Sequence, residues 1–293
     1  MLDQQPDDLN TPHANVADTD SPQFLADGFL VEKCAGAVIT SIEIWGGWGG
    51  TQPATDTFTI RFHDTTALFG NVAWQGPLNP PNVTMTQVPI QTMAPTGQNI
   101  YAYYTSWTIV PEYHLTLQLP QPVTVEPGLS WMSLAADGDT NSKFCWSPGF
   151  ADANGRSSQY ANYTQPSGSW SPPTVFATRD FGLVIHGVTN GTGLCADNFV
   201  VNSTATVSVE DAPANTPVFI GLSLTGNGPI PTPYGNLLLS APQIILPVLL
   251  TDPSGAAAHN IPIPAYAIGL QIWFQAIEVT GPSLTNGVHV VIS

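Results

Sequence analysis

Prolines and glycines punctuate this chain every few residues, 28 and 26 of them among 293, and that spacing removes long helices from what it can fold into. Between them, apolar and polar side chains alternate with the period of two that belongs to a half-buried strand. "VITSIEIW" (38–45) places Val38, Thr40, Ile42 and Ile44 on one face and Ile39, Ser41, Glu43 and Trp45 on the other, the first set being the cleaner core face. "DTFTIRFHD" (56–64) repeats the pattern, with Phe58, Ile60 and Phe62 inward and Thr57, Thr59, Arg61 and His63 outward. "IYAYYTSWTIV", "YHLTLQL", "LSWMSLAA", "SKFCWS" and "DFGLVIHGV" read as further strands, at the spacing of a sandwich or barrel rather than of βαβ units.

A second set of strands begins after "TNGTGLCADN" (189–198), about seven of them in roughly 95 residues, the size of an immunoglobulin-like sandwich. Composition shifts at the same place: seven of the eight tryptophans precede residue 190, and no Lys or Arg follows Arg179. The expected fold is all-β, two tandem antiparallel β-sandwiches, jelly-roll-like over 23–190 and immunoglobulin-like over 196–293. Residues 1–22 carry five acidic side chains, no basic one and no apolar period, and are expected to be a flexible tail or an acidic arm that orders only by lying on something.

The segments "LADGFLV…ITSIEIWGGW…DTFTIRFH…LQLPQPVTVEPGLSWMSL…FCW…DFGLVIHG" resemble an N-terminal β-sandwich of secreted bacterial proteins that carries "ADDF", "F-x-I-R-F" and "G-x-x-Y-W-x-S-I" segments. Gly28 stands where that pattern has its second acidic residue after "AD". Residues 220–293, with "IPIPAYAIGLQIWFQA" and "LTNGVHVVIS", resemble a C-terminal module of planctomycete-type secreted proteins. These motifs are structural, and the resemblance implies an architecture without implying an activity.

Five Lys and Arg against 21 Asp and Glu give a formal charge of −16. Such a surface repels nucleic acid and anionic membranes, both of which need clustered cations. Unbroken apolar runs such as "IILPVLL" (244–250) fall far short of the roughly 20 residues that span a bilayer. Few lysines, many Thr and Asn and the sequons "NVT", "NYT", "NGT" and "NST" point to a secreted protein. "MLDQQPDDLN" lacks the basic start and apolar core of a signal peptide, so a secreted chain would be met here in its mature form.

Three cysteines leave at least one unpaired. Cys34 and Cys145 fall in one expected domain and are the candidate disulfide, with Cys195 spare; three buried thiols are the alternative. "DGDTNS" (137–142) sets Asp137, Asp139 and Asn141 at alternate positions, an oxygen cluster of the kind calcium takes, although it is no EF-hand and an acidic turn between two strands is the simpler reading. No other cofactor is expected. The six histidines stand singly, without H-x-H or H-x-x-x-H, and read as ordinary strand histidines unless a distant pair converges. "GLSLTG" (221–226) has the wrong spacing for a nucleophile elbow.

Aromatic side chains carry the remaining signal. Trp131 and Trp146 sit among apolar strand residues and read as core, whereas Trp45, Trp48, Tyr104 and Trp107 are candidates for a sugar-stacking surface. Trp45 and Trp48 read equally well as the corner of a sandwich. The leading expectation is a non-catalytic surface or extracellular-matrix protein that binds itself or other extracellular proteins. A polysaccharide-binding protein is the first alternative, and a hydrolase with a site built from loops the second.

Overall fold

The computed structural model describes residues 2–4, 15–18, 23–53, 56–63, 83–103, 106–137, 141–149, 161–164, 169–171 and 180–293. By its own contacts the chain divides into unit 1, Met1–Val31 with Val38–Val188, and unit 2, Glu32–Ala37 with Thr189–Ser293. Among the described residues there is no α-helix, and the sheets are antiparallel.

Unit 1 begins with β1 (Leu2–Gln4), β2 (Asn15–Val16), β3 (Gln23–Val31), β4 (Ala37–Gly50), β5 (Thr57–His63) and β6 (Val83–Tyr103). It continues with β7 (Trp107–Val125), β8 (Gly128–Ala136), β9 (Ser142–Trp146), β10 (Pro148–Gly149), β11 (Ala161–Thr164), β12 (Ser169–Ser171), β13 (Asp180–Phe181) and β14 (Leu183–Thr189). One hydrogen-bonded path runs β1-β14-β4-β7-β6-β5-β8-β3-β11-β12, with β9 on β4 and β2 on β9. The longest strands, β6 and β7, pair through register shifts at Ile90/Thr92 and Pro95/Asn99. Pro95 has no N–H to give the ladder, and a shift in register is where a strand tolerates one.

The inward residues of β5, Phe58, Ile60 and Phe62, are buried with Met132 and Leu134 of β8 and with Leu25 and Phe29 of β3. Each such side chain contributes about 1.5–3 kcal/mol by leaving water. Phe58 also meets Phe144 of β9 edge to face at 5.1 Å, so strands far apart on the path face one core. The acidic arm takes part in this closure. Ala17 donates its N–H to Phe144 O, Ala136 donates to Ala17 O, and Asp18 Oδ2 accepts from Phe144 N–H. Ala17 and Asp18 are fully buried. Residues 15–18 therefore join β9 to β8 within unit 1.

Unit 2 holds β15 (Gly193–Asp197), β16 (Thr204–Glu210), β17 (Pro217–Ser223), β18 (Ile230–Thr232), β19 (Gly235–Leu237) and β20 (Gln243–Ile245). It ends with β21 (Leu249–Leu250), β22 (Ala257–Pro262), β23 (Gln271–Glu278), β24 (Ser283–Leu284) and β25 (Val288–Val291), and a single 3-10 turn at Ala265–Ala267. One sheet is β15-β16-β22; another is β20-β17-β23-β24, with β21 on β17 and β25 on β23. Val207 and Val209 from the first and Ile220, Phe274 and Ala276 from the second share one core. Gln275, on the far side of β23, is buried because its amide binds Leu238 N, Asn236 O and Thr285 O, pinning the 236–238 segment over the sheet.

Candidate functional site

The glycines of "WGGWGG" answer to strand contact. A Cβ on Gly46 would lie 2.5 Å from Cys145 O, and one on Gly47 2.6 Å from Pro111 O, so only glycine lets β4 run this close to its neighbours. Trp48, which follows them, is 3% exposed. Its indole meets Phe144 at 5.3 Å and Tyr113 at 5.9 Å, and Nε1 donates to Asp56 Oδ2 at 2.8 Å. Trp45 lies on the Glu43 face, as the alternation predicts, yet the His114 ring stacks on it at 4.4 Å and leaves it 6% exposed. The pair thus takes the corner reading over the open sugar platform. Trp107 is 49% exposed. Tyr104 lies outside the described residues.

Of the candidate calcium ligands, Asp139 lies outside the described residues. Asp137 is turned to Thr59, whose Oγ1 donates to both carboxylate oxygens at 2.8 and 3.0 Å. Burial pushes this carboxyl above its ordinary range, against the Thr59 hydrogen bond that pulls it down. Asn141 is exposed, and its backbone oxygen accepts from Thr51 N–H.

The expected Cys34–Cys145 disulfide is replaced by Cys34–Cys195, with Cα atoms 5.4 Å apart. The reason is the excursion of Glu32–Ala37 into unit 2, which carries Cys34 away from β3 and β4 to β15. Cys145 is free and buried, packed with Ile100, Ala102 and Val110. The two bonded sulfurs and the Glu210 carboxylate lie within 4.8 Å of one another. A metal needs thiolates, and the disulfide has none to offer.

Two polar constellations in unit 1 escape sequence reasoning. His63 Nε2 lies 2.8 Å from Ser133 Oγ, the contact of a base with a hydroxyl nucleophile. Ser133 exposes none of its surface, however, so the pair acts as a buried hydrogen bond between β5 and β8.

The second constellation is open. On adjacent strands β14, β4 and β7, His186, Glu43 and His114 stand in a row, and each imidazole Nε2 lies 2.6 Å from a different oxygen of the one carboxylate. Their side chains are 31%, 24% and 34% exposed, in that order. Each is a polar residue at a mid-strand position, which is the signal the sequence held. Nothing in it placed strands 71 and 143 residues apart next to Glu43.

Unit 2 presents a different surface. Along β20 and β21, which both pair with β17, and the segment between them, Ile244, Ile245, Val248 and Leu250 are exposed, Leu250 at 65%. Among the described residues β20 pairs on one side only, with β17. Tyr266 and Ile268, at the 3-10 turn, are exposed as well. No charged residue occurs between Asp211 and Asp252, nor between Asp252 and Glu278.

Comparison with protein families, curated proteins and solved structures finds no match to this chain. No described helix is long and apolar enough to cross a membrane.

Proposed function

We propose that this is a secreted, non-catalytic surface or extracellular-matrix protein, a jelly-roll-like sandwich followed by an immunoglobulin-like one, that joins copies of itself through unit 2. The observation that carries this reading is the apolar, charge-free edge at Gln243–Leu250. Natural sheets guard exposed edges with Lys, charge or bulges, and an edge left apolar accepts a strand from another chain. The occupant argued for is a second copy. Fifteen acidic and four basic side chains fall in unit 1, against six and one in unit 2, so the neutral edge is where two strongly anionic chains meet with least repulsion. The disulfide is in keeping with an oxidising, extracellular setting.

Sedimentation velocity over a range of concentrations tests this. Wild type is expected to form species larger than the 31.1 kDa chain, and Ile245→Lys with Leu250→Lys to hold it there as a monomer. A wild-type protein that stays monomeric at its highest soluble concentration, or a double variant that assembles as wild type does, would remove the reading.

A further inference from the structure

We propose that copies of this chain meet head to tail: the apolar edge at β20 and β21 of one copy packs against the exposed turn at 266–270 of the next, and the contact repeats into a filament. This rests on the reading that unit 2 joins copies of the chain, and names the surface that the edge takes. In the larger sheet of unit 2, β17 lies between β20 and β23, and β23 lies between β17 and β25. β20 and β25 therefore stand on opposite sides of one sheet, and each side holds apolar side chains in water.

On the first side Ile244 is paired with Leu222, which packs on the core, while Ile245 is paired with Gly221 and shares its side of the sheet with Leu239. The edge is thus apolar on both faces of the sheet. On the second side the 3-10 turn is braced. Its Ala267 is buried in the core, Leu270 N–H donates to Ala267 O, Gly269 N–H to Ile292 O, and Ile292 N–H to Leu270 O. From this frame Tyr266 and Ile268 project, 89% and 67% exposed, with Leu270 beside them and Val291 of β25 exposed opposite Gln271. A single exposed apolar residue is ordinary, but several on one braced turn and its neighbouring strand make an interaction patch. A tyrosine at its centre is the kind of side chain that anchors interfaces.

Charge and symmetry decide the occupant. Over residues 212–293 the only Asp, Glu, Lys or Arg are Asp252 and Glu278, so both patches are neutral surfaces on a chain of formal charge −16, and a second copy meets least repulsion there. A two-fold contact of β20 with β20 would leave Tyr266 and Ile268 of both copies in water. A contact between the two different patches covers both, and such a heterologous contact grows without limit when its rotation does not close.

The test uses the full chain. Wild type is expected to form filaments in negative-stain electron microscopy, a readout that needs no variant. Ile245→Lys with Leu250→Lys, and separately Tyr266→Lys with Ile268→Lys, should each hold the chain at 31.1 kDa in sedimentation velocity; all four positions are exposed, so the fold does not depend on them. An equimolar mixture of the two variants should form a one-to-one dimer that grows no further, because each supplies the face the other lacks. A wild-type chain that stays monomeric removes this inference together with the reading it rests on. Closed wild-type dimers, a turn variant that assembles as wild type does, or a mixture that stays monomeric would overturn the head-to-tail contact alone.

Discussion

Replacing Trp48 separates a core residue from a ligand platform, because the two roles differ by several kcal/mol. The indole is 3% exposed. A tryptophan buries about 150–250 Å², which at about 25 cal/mol per Å² is about 4–6 kcal/mol. Measured truncations of large core aromatics cost about 3–5 kcal/mol. Trp48→Ala also strips the indole donor from Asp56, which is buried, and the loss of a hydrogen bond to a buried polar group adds about 1–3 kcal/mol. Trp48→Phe keeps most of the ring contact with Phe144 and loses chiefly that hydrogen bond, so about 2 kcal/mol is expected. In a unit of this size each kcal/mol moves the midpoint by about 2–4 °C, giving about 4–8 °C for Phe and about 8–32 °C for Ala. Calorimetry is the assay, since it follows each unit's transition without relying on the tryptophan removed. A Trp48→Ala protein whose unit 1 melts within about 2 °C of wild type would refute the burial argument, because a surface side chain costs within about 0.5 kcal/mol.

The remaining predictions concern the chain's ends and its crosslink. Deleting residues 1–18 removes the Ala17 and Asp18 bonds that join β9 to β8, and should lower the unit 1 midpoint by several degrees; a deletion that melts as wild type does would show that the arm is dispensable to the fold. Peptide mapping under non-reducing conditions should recover Cys34 bonded to Cys195 and Cys145 as a free thiol that is alkylated only after denaturation. Removing that bond in Cys34→Ser should cost on the order of 4–5 kcal/mol for a ring of 161 residues in the chain-entropy account; unfolding in urea that is unchanged by the substitution would sink the estimate.

How far the fold could be read from the sequence varies with the distance over which residues act. Alternation names Phe58, Ile60 and Phe62 as inward, and all three are buried, because the pleat alone decides which side of a strand a residue takes. Thr59 and His63, on the opposite side, are buried too. Alternation says which face is polar, not whether something covers it, and here Asp137 and Ser133 supply the partners. Ile39 and Ile42 are both fully buried although the pattern puts them on opposite faces, a break in alternation that the residues themselves do not announce. Pairing across the chain was least legible. Cys34 looked like a member of the first domain because its neighbours on both sides are, and six residues of excursion are too few to leave a compositional trace. His114, Glu43 and His186 meet only because β14 and β7 flank β4, and strand order is not written in any single strand.

That same excursion changes what the disulfide does. In a plain tandem of two domains a bond inside the second constrains the second alone. Here the bond from Cys34 to Cys195 closes a covalent ring that contains all of Val38–Val188, the larger part of unit 1. Val38 lies four residues from one sulfur's residue and Val188 seven from the other, so when unit 1 unfolds its two ends stay within a short span of chain. The entropy removed by the crosslink is therefore removed from the unfolded form of unit 1, though both cysteines belong to unit 2. The few-residue linker "EKCAGA" (32–37) thus couples the stability of the unit that carries the polar row to the redox state of a bond in the unit that carries the apolar edge.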